Sequence, residues 1–392
     1  MAPFFDSAFD FNIVTPNLGI IALEGARELG EKVDKYLVEW YNGEIDRSGA
    51  KKPKKKTFLI ENECPRFTTG DGKGYINETV RGKDLYLMVD VGNYSCKYNM
   101  FGSEVGMSPD DHFCDLKRII SAIAGKAASI TVVMPLLYGG RQHRRNTRES
   151  LDCAMMLHEL HQMGVTDLIT FDAHDPRVQN ATPLMGFDNF YPTYQILKAL
   201  TRNFPDIEID KNNFMIVSPD EGAMIRNIYY ASVMGLDLGM FYKRRDYSCV
   251  VNGRNPIIAH EYLGSSVMGM DVFVADDIIA TGDSSLKLAY NLKERGANRI
   301  YLNATYALFT EGVDKFQKAY EDGYLTAVLS TNLTYRRPEL KTAPWFIEAD
   351  MSKFIAYIIS ACNQKRSLSE LLDPHDKIKD LIWNFNNGKQ KP

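Results

Sequence analysis

Apolar residues recur along this chain in short unbroken runs rather than in alternation with polar ones. Lys83–Val91 (KDLYLMVDV), Ile130–Leu137 (ITVVMPLL), Asp167–Ala173 (DLITFDA), Phe214–Asp220 (FMIVSPD), Asp237–Lys243 (DLGMFYK), Asp271–Asp277 (DVFVADD) and Arg299–Tyr306 (RIYLNATY) are the clearest. Runs of this length predict strands covered on both faces. Between them, apolar positions fall three and four apart, the spacing of a helix with one buried face. After Asp271–Asp277, for example, Leu286, Ala289 and Leu292 share a face while Lys287, Lys293 and Glu294 point away, and Gly296 stands where a helix would stop. Strands alternating with helices predict an α/β fold with mainly parallel sheets flanked by helices.

The pattern repeats. ITVVMPLLYGGRQHRR, a helix and GVTDLITFDAHD follow the same order as DVFVADDIIATGDS, a helix and GANRIYLNATY. Two similar domains account for this, and 392 residues are enough for two. The expected boundary falls near Asn189–Gln195, giving domains over 1–189 and 190–350. Asp46–Lys56 (DRSGAKKPKKK) is basic and rich in turn formers, and is expected as a solvated loop inserted in the first domain. Residues 374–392 read as a short amphipathic segment and a frayed tail.

Composition narrows the class. Apolar residues make up 45% of the chain, enough for a full core, and the net charge of -4 gives no reason to expect nucleic acid or an anionic membrane as partner. No apolar run has the length of a membrane-spanning helix, and MAPFFDSAFDFNIV lacks the basic-then-apolar order of a secretory signal. The six cysteines, Cys64, Cys96, Cys114, Cys153, Cys249 and Cys362, form no C-x-x-C pair and no zinc spacing, so buried thiols and a cytoplasmic address are expected. His158 and His161 are three apart on a helix whose buried side is expected to be Leu151, Ala154, Met155 and Leu160. With no third ligand in view they read as a solvated face.

The chemistry concentrates in Val272–Ser285 (VFVADDIIATGDSS). Adjacent carboxylates at the end of a buried strand are costly to desolvate. The polar turn that follows opens a helix, whose first N–H groups and dipole favour a phosphate. Thr281, Ser284 and Ser285 add hydroxyl donors, and Asp276 and Asp277 suit the hydroxyls of a sugar or a divalent cation. Together they describe a sugar-phosphate site; a plainer alternative is an acid-rich strand end before a capped helix.

This stretch resembles the phosphoribosyl-binding loop shared by type I phosphoribosyltransferases and ribose-phosphate pyrophosphokinases. Other segments single out the pyrophosphokinase family. RQHRR (Arg141–Arg145) resembles its R-Q-D-R segment, FDAHD (Phe171–Asp175) its D-L-H segment, SPDEGA (Ser218–Ala223) its P-D-x-G loop and YKRR (Tyr242–Arg245) its K-x-R loop. RFTTGD, from Arg66, resembles its F-x-D-G-E segment, and DMSKFIAYIISACNQKRSLSELL its closing helix, expected over 351–373 and packing on the first domain.

The resemblance implies transfer of the diphosphoryl group of ATP to O1 of ribose 5-phosphate, with Mg²⁺, giving phosphoribosyl diphosphate and AMP. It implies that Lys243 and Arg245 are catalytic and that Phe67, Asp71, Arg141, Gln142 and His174 bind ATP. Asp220, Asp276, Asp277, Thr281, Gly282 and Ser284 would hold ribose 5-phosphate, and His174 and Asp220 the metal. It also implies a homo-oligomer built from dimers, hexameric in the family, with Phe67 stacking on adenine from a neighbouring subunit. Several have a structural alternative: Asp220 as a turn or N-cap residue before Gly222, His174 as a bonded strand-end histidine, KRRD as a solvated run.

Five positions depart from the family pattern. Thr69 replaces an acid, Asp71 is a shortened Glu, His143 stands for Asp, Ala280 for a third acid and Asp283 for a small residue. A carboxylate beside a phosphate is repulsive unless it points outward. Two other functions therefore stay open: a phosphoribosyltransferase that needs no ATP, and a non-catalytic regulatory homologue.

Overall fold

The computed structural model of the protein describes residues 14–49, 51–145, 147–245 and 257–388, and for residues 243–245 and 257–260 the backbone alone. The chain forms two compact units. The first takes Met1–Tyr191, Asn332–Tyr335 and Asp350–Asp373, and the second Pro192–Thr331, Arg336–Ala349 and Pro374–Pro392.

In the first unit the strands are β1 (Leu18–Ala22), β2 (Asn62–Glu63), β3 (Tyr75–Ile76), β4 (Asp84–Met88), β5 (Lys97–Met100), β6 (Ser103–Gly106), β7 (Ser129–Val133), β8 (Asp167–Phe171) and β9 (Gly186–Phe190). β1, β4, β7, β8 and β9 form one sheet in that order, parallel throughout. β2–β3 and β5–β6 are separate antiparallel ribbons. The helices are α1 (Arg27–Ser48), α2 (Pro109–Ile123) and α3 (Asp152–Gln162), with α8 (Ser352–Asn363) and α9 (Ser369–Leu372) from the returning segment. Local sequence sets α2: Ser108 caps it in a reciprocal box with Asp111, and Pro109 occupies the first turn, where its missing N–H costs nothing. Its Leu116, Ile119 and Ile123 are buried with Leu85, Leu87 and Val132 of the sheet. On α8, Tyr357 stacks on Trp40 of α1 at 4.7 Å, and Phe354 meets Phe190 edge-on at 5.7 Å. Asp90, buried just after β4, accepts from Thr334 Oγ1, Tyr335 N and Gly92 N, each at 2.9 Å, which satisfies a carboxylate that would otherwise be costly to bury.

The second unit holds β10 (Phe214–Ser218), β11 (Leu238–Arg245), β12 (Ile257–Leu263), β13 (Asp271–Ile279), β14 (Ile300–Ala307), β15 (Ala327–Thr331) and β16 (Phe346–Ala349). They pair in the order β12-β11-β10-β13-β14-β15-β16, parallel except at β11–β12. The helices are α4 (Thr193–Asn203), α5 (Met224–Met234), α6 (Asp283–Glu294), α7 (Asp314–Glu321) and α10 (His375–Gly388). One cluster joins Leu286 and Leu292 of α6 and Phe316 of α7 to Val274, Leu302 and Trp345. Another joins Ile196 and Leu200 of α4 and Ile378 of α10 to Phe214, Ile216 and Tyr301.

All seven apolar runs are strands, in two mainly parallel sheets flanked by helices. Several details differ from expectation. β13 does not stop at its acids but runs through them to Ile279, because β14 is long enough to pair with it that far. On α3 the buried stripe is Cys153, Met156, Leu157 and Leu160, so Met155, expected inside, is 66% exposed. His158 and His161 are exposed as read. α1 runs on to Ser48, taking in the start of the basic segment, and Gly49 ends it in the left-handed conformation. Lysines 51, 52, 54 and 56 of that segment are exposed, while Lys55 is half-buried over the Phe58 ring. The tail expected after Pro374 is a helix of fourteen residues with Ile378 and Ile382 buried. Of the five described cysteines only Cys153 is buried and the rest are half-buried, and all five are free; Cys249 lies outside the described residues. Among the described residues no helix is long and apolar enough to cross a membrane.

Candidate functional site

In the second unit, β10 and β13 lie side by side and their C-terminal ends open onto the loops that carry the expected chemistry. After β10, Asp220 turns back on its own loop, and its Oδ1 accepts from Gly222 N at 3.0 Å and Ala223 N at 3.2 Å at the start of α5. The turn alternative for Asp220 is thus realised in the geometry, while Ala223 stands at the N-cap of α5 without a capping side chain.

On β13, Asp277 is buried and Asp276 half-buried. Asp276 Oδ1 accepts from Asp277 N at 2.9 Å, and Arg226 of α5 lies 4.0 Å away. Burial raises the Asp276 carboxyl above the ordinary range. The neighbouring Asp277 charge raises it further, and Arg226 only partly opposes this. Such a pair gains from hydroxyl donors, which would solvate its charge.

The turn beyond β13 places Gly282 at φ +88° as the residue before α6; it brings no capping side chain, and Thr281 Oγ1 accepts from Asp283 N at 3.4 Å. A Cβ on Gly282 would sit 2.2 Å from the Phe316 ring, so glycine is required there by both conformation and space. Thr281 is half-buried and Ser284 exposed beside this helix start. Asp283, the position where repulsion was a concern, is exposed: its Oδ1 meets Lys315 Nζ at 2.9 Å, and its Oδ2 accepts from Thr281 Oγ1 at 3.5 Å. That ammonium, which also pairs with Glu311, holds the Asp283 carboxyl below its usual range. Lys243 and Arg245 lie on β11, paired antiparallel with β12, and their side chains fall outside the described residues.

In the first unit, Arg141 is exposed on the loop after β7, and Gln142 folds back so that its amide donates to Ser150 O at 3.0 Å and Arg144 O at 3.3 Å. His174, after β8, is exposed, with its ring 5.3 Å from that of His143. His143 Nε2 is 3.5 Å from Asp175. Asp175 is held down to about 2, first by its hydrogen bonds from Arg177. So His143, where the family has Asp, ties the loop after β7 to the loop after β8. Phe67 is 57% exposed on a tight turn closed by Phe67 N to Asp71 O at 2.7 Å. Asp71 is also exposed and accepts from Thr69 Oγ1 at 2.7 Å. The turn is anchored next door, where buried Arg66 pairs with buried Asp115 at 2.9 Å and lies over the Tyr98 ring, and by Phe101 N donating to Thr68 O at 2.8 Å. Among the described residues no three His, Cys, Asp or Glu side chains converge as a metal cage.

Sequence reading missed two residues of this region, Arg226 and Asn227. They sit in an apolar helix, MIRNIYY, and nothing in its spacing marks them.

Two mainly parallel sheets flanked by helices, the second leading an acid pair into a glycine turn at a helix start, define the type I phosphoribosyltransferase class of α/β fold. Residues 18–164 match the sequence profile described as the N-terminal domain of ribose phosphate pyrophosphokinase, and residues 187–326 that of the phosphoribosyl transferase domain. The chain is 28% identical over 313 residues to a ribose-phosphate pyrophosphokinase of Vibrio cholerae, covering 79% of this chain and 90% of the relative. It is 25% identical over 340 residues to that of Pasteurella multocida, covering 85% and 98%. The crystal structure of a phosphoribosylpyrophosphate synthetase from Mycobacterium smegmatis shares the fold with a TM-score of 0.69 at 19% identity, over 89% of this chain and 99% of that one. The chain belongs to the ribose-phosphate pyrophosphokinase family, as a divergent member.

Proposed function

We propose that this chain is a ribose-phosphate diphosphokinase, moving the diphosphoryl group of ATP to O1 of ribose 5-phosphate. The observation that carries the reading is the union, within one unit, of the Asp276–Asp277 pair with an α6 start behind Gly282. The match of the first unit's sequence to the partner domain of the same enzymes supports it.

In this reading the amides of the first α6 turn, with Thr281 and Ser284, hold the 5-phosphate. Asp276 and Asp277 accept from the ribose hydroxyls. The Lys315 ammonium offsets the charge of Asp283 beside the phosphate, and Thr281 exchanges its bond to Asp283 for one to the phosphate. The ribose O1 forms a bond to the β-phosphorus, the bond from that phosphorus to the AMP oxygen breaks, and the O1 proton passes to solvent. Lys243 and Arg245 stabilise the charge that grows on the transferring oxygens. On the nucleotide side Phe67 stacks on the base, with Asp71, Arg141, Gln142 and His174 around ATP. Mg²⁺ takes oxygen ligands and is commonly held by one or two carboxylates plus substrate phosphates, which suits Asp220; the resemblance adds His174 as a further ligand. Bound there, it would neutralise phosphate charge.

The test is AMP formation from ATP, ribose 5-phosphate and Mg²⁺. Ribose-dependent AMP is expected. No AMP, with phosphoribosyl diphosphate consumed in the presence of a nucleobase, would move the chain to the phosphoribosyltransferases; ATP binding without turnover would mark a regulatory homologue.

A further inference from the structure

We propose that Asn227 is a positioning residue that fixes the acid pair and the Asp220 loop in one frame, and so sets affinity for the sugar phosphate. This rests on the reading above. β10 and β13 pair in register from Phe214↔Asp271 to Val217↔Val274, and there the ladder ends. The next residue of β13, Ala275, still directs its N–H and C=O to that side, and both are buried. A buried peptide left without partners is costly. The Asn227 side chain supplies the missing peptide: its Oδ1 accepts from Ala275 N at 3.1 Å, and its Nδ2 donates to Ala275 O at 2.7 Å.

The same Nδ2 donates to Ala223 O at 2.8 Å and faces Ser218 Oγ at 3.3 Å, while Ser218 Oγ donates to Asp220 O at 2.8 Å. Asn227 is 0% exposed, and its amide nitrogen and oxygen are both engaged. One side chain therefore grips the residue immediately before Asp276 and both ends of the loop that carries Asp220. No aliphatic residue can do this, and an aspartate can do half of it: one oxygen can still accept from Ala275 N, but the other would face two carbonyls.

Asn227→Asp and Asn227→Ser test the assignment by steady-state kinetics, with Ile378→Ala on α10, a fully buried site in the cluster that includes the apolar face of α5, as a control for general loosening of that helix. The expected result is a KM for ribose 5-phosphate raised about tenfold or more, with the KM for ATP within about twofold of the parent. The amides of Ala275 to Asp277 should also lose protection in hydrogen exchange more than those of β14. Equal changes in both KM values, or a pattern matched by Ile378→Ala, overturns the proposal. If the parent forms no AMP, the function proposed above fails instead, and the same comparison is made by calorimetric binding of ribose 5-phosphate and of ATP. A parent that binds no ribose 5-phosphate overturns both.

Discussion

Replacing Gly282 by alanine separates two demands that the phosphate-side turn makes on the chain. The first is conformational: at φ +88° any residue with a Cβ is strained by roughly 1–2 kcal/mol. The second is spatial. The added Cβ would lie 2.2 Å from Cε2 and 2.4 Å from Cζ of Phe316, where ordinary contact begins at 3.4 Å. Phe316 is fully buried, stacked on Trp345 at 5.6 Å and edge-on to Phe309 at 4.8 Å, so the ring has no open space to move into. Overpacking of this kind costs about 1–3 kcal/mol, for a sum of about 2–5 kcal/mol. Gly235, which ends α5, supplies the control: its φ is +68° and a Cβ there would meet nothing within 4 Å. Gly235→Ala should lose the conformational part alone. Urea unfolding of both variants gives the two costs, and their difference is the steric part. Gly282→Ala no more destabilising than Gly235→Ala would refute the packing argument. It would mean that Phe316 yields and that the turn is glycine for its backbone only.

Three further outcomes are expected. A carboxyl that holds its proton more tightly folded than unfolded makes the native state bind more protons, so stability falls as pH rises from the unfolded value of 3.8 through the raised folded one. Asp276→Asn should therefore melt higher than the parent at about pH 8, lose that advantage near about pH 4, and bind ribose 5-phosphate poorly; a pH-independent gap in melting temperature contradicts the assignment. Arg66→Ala leaves a buried Asp115 with Arg118 at 2.7 Å as its charged partner, and should cost about 3 kcal/mol in denaturant unfolding, the low end for a broken buried pair. On the proposed mechanism, Lys243→Ala should lower kcat by about 10²–10³ with little change in either KM, and a change confined to KM would remove it from the transition state.

The strands most legible in the sequence are those covered on both faces. β10, β14 and the start of β13 are buried at consecutive positions, and continuous apolar runs are what that burial demands. Burial alone does not make a strand legible: β15 (AVLST) is as buried as β10 and lies inside its sheet, but its apolar run is only three residues and sequence reading missed it. β9 (GFDNF) and β16 (FIEA) are half-exposed and short, and borrow their register from β8 and β15 rather than from any pattern of their own. The order of strand, acids, glycine turn and helix could be read because its residues are consecutive. The pairing of Asp283 could not, since it depends on Lys315, 32 residues later, nor could the role of Asn227, which depends on where β10 stops pairing with a strand 48 residues on.

The return of α8 to the first unit has a consequence for synthesis. When residue 191 has been added, the β1–β9 sheet is complete in sequence, yet Trp40, Phe171 and Phe190 lack Tyr357 and Phe354, which cover them in the finished protein. At ordinary elongation rates those partners follow roughly ten to thirty seconds later. For that interval the nascent chain presents an aromatic face to its surroundings. A ribosome stalled before residue 352 should hold a first half that recruits holdase chaperones and is cut readily by protease, and one stalled after α9 has emerged should not.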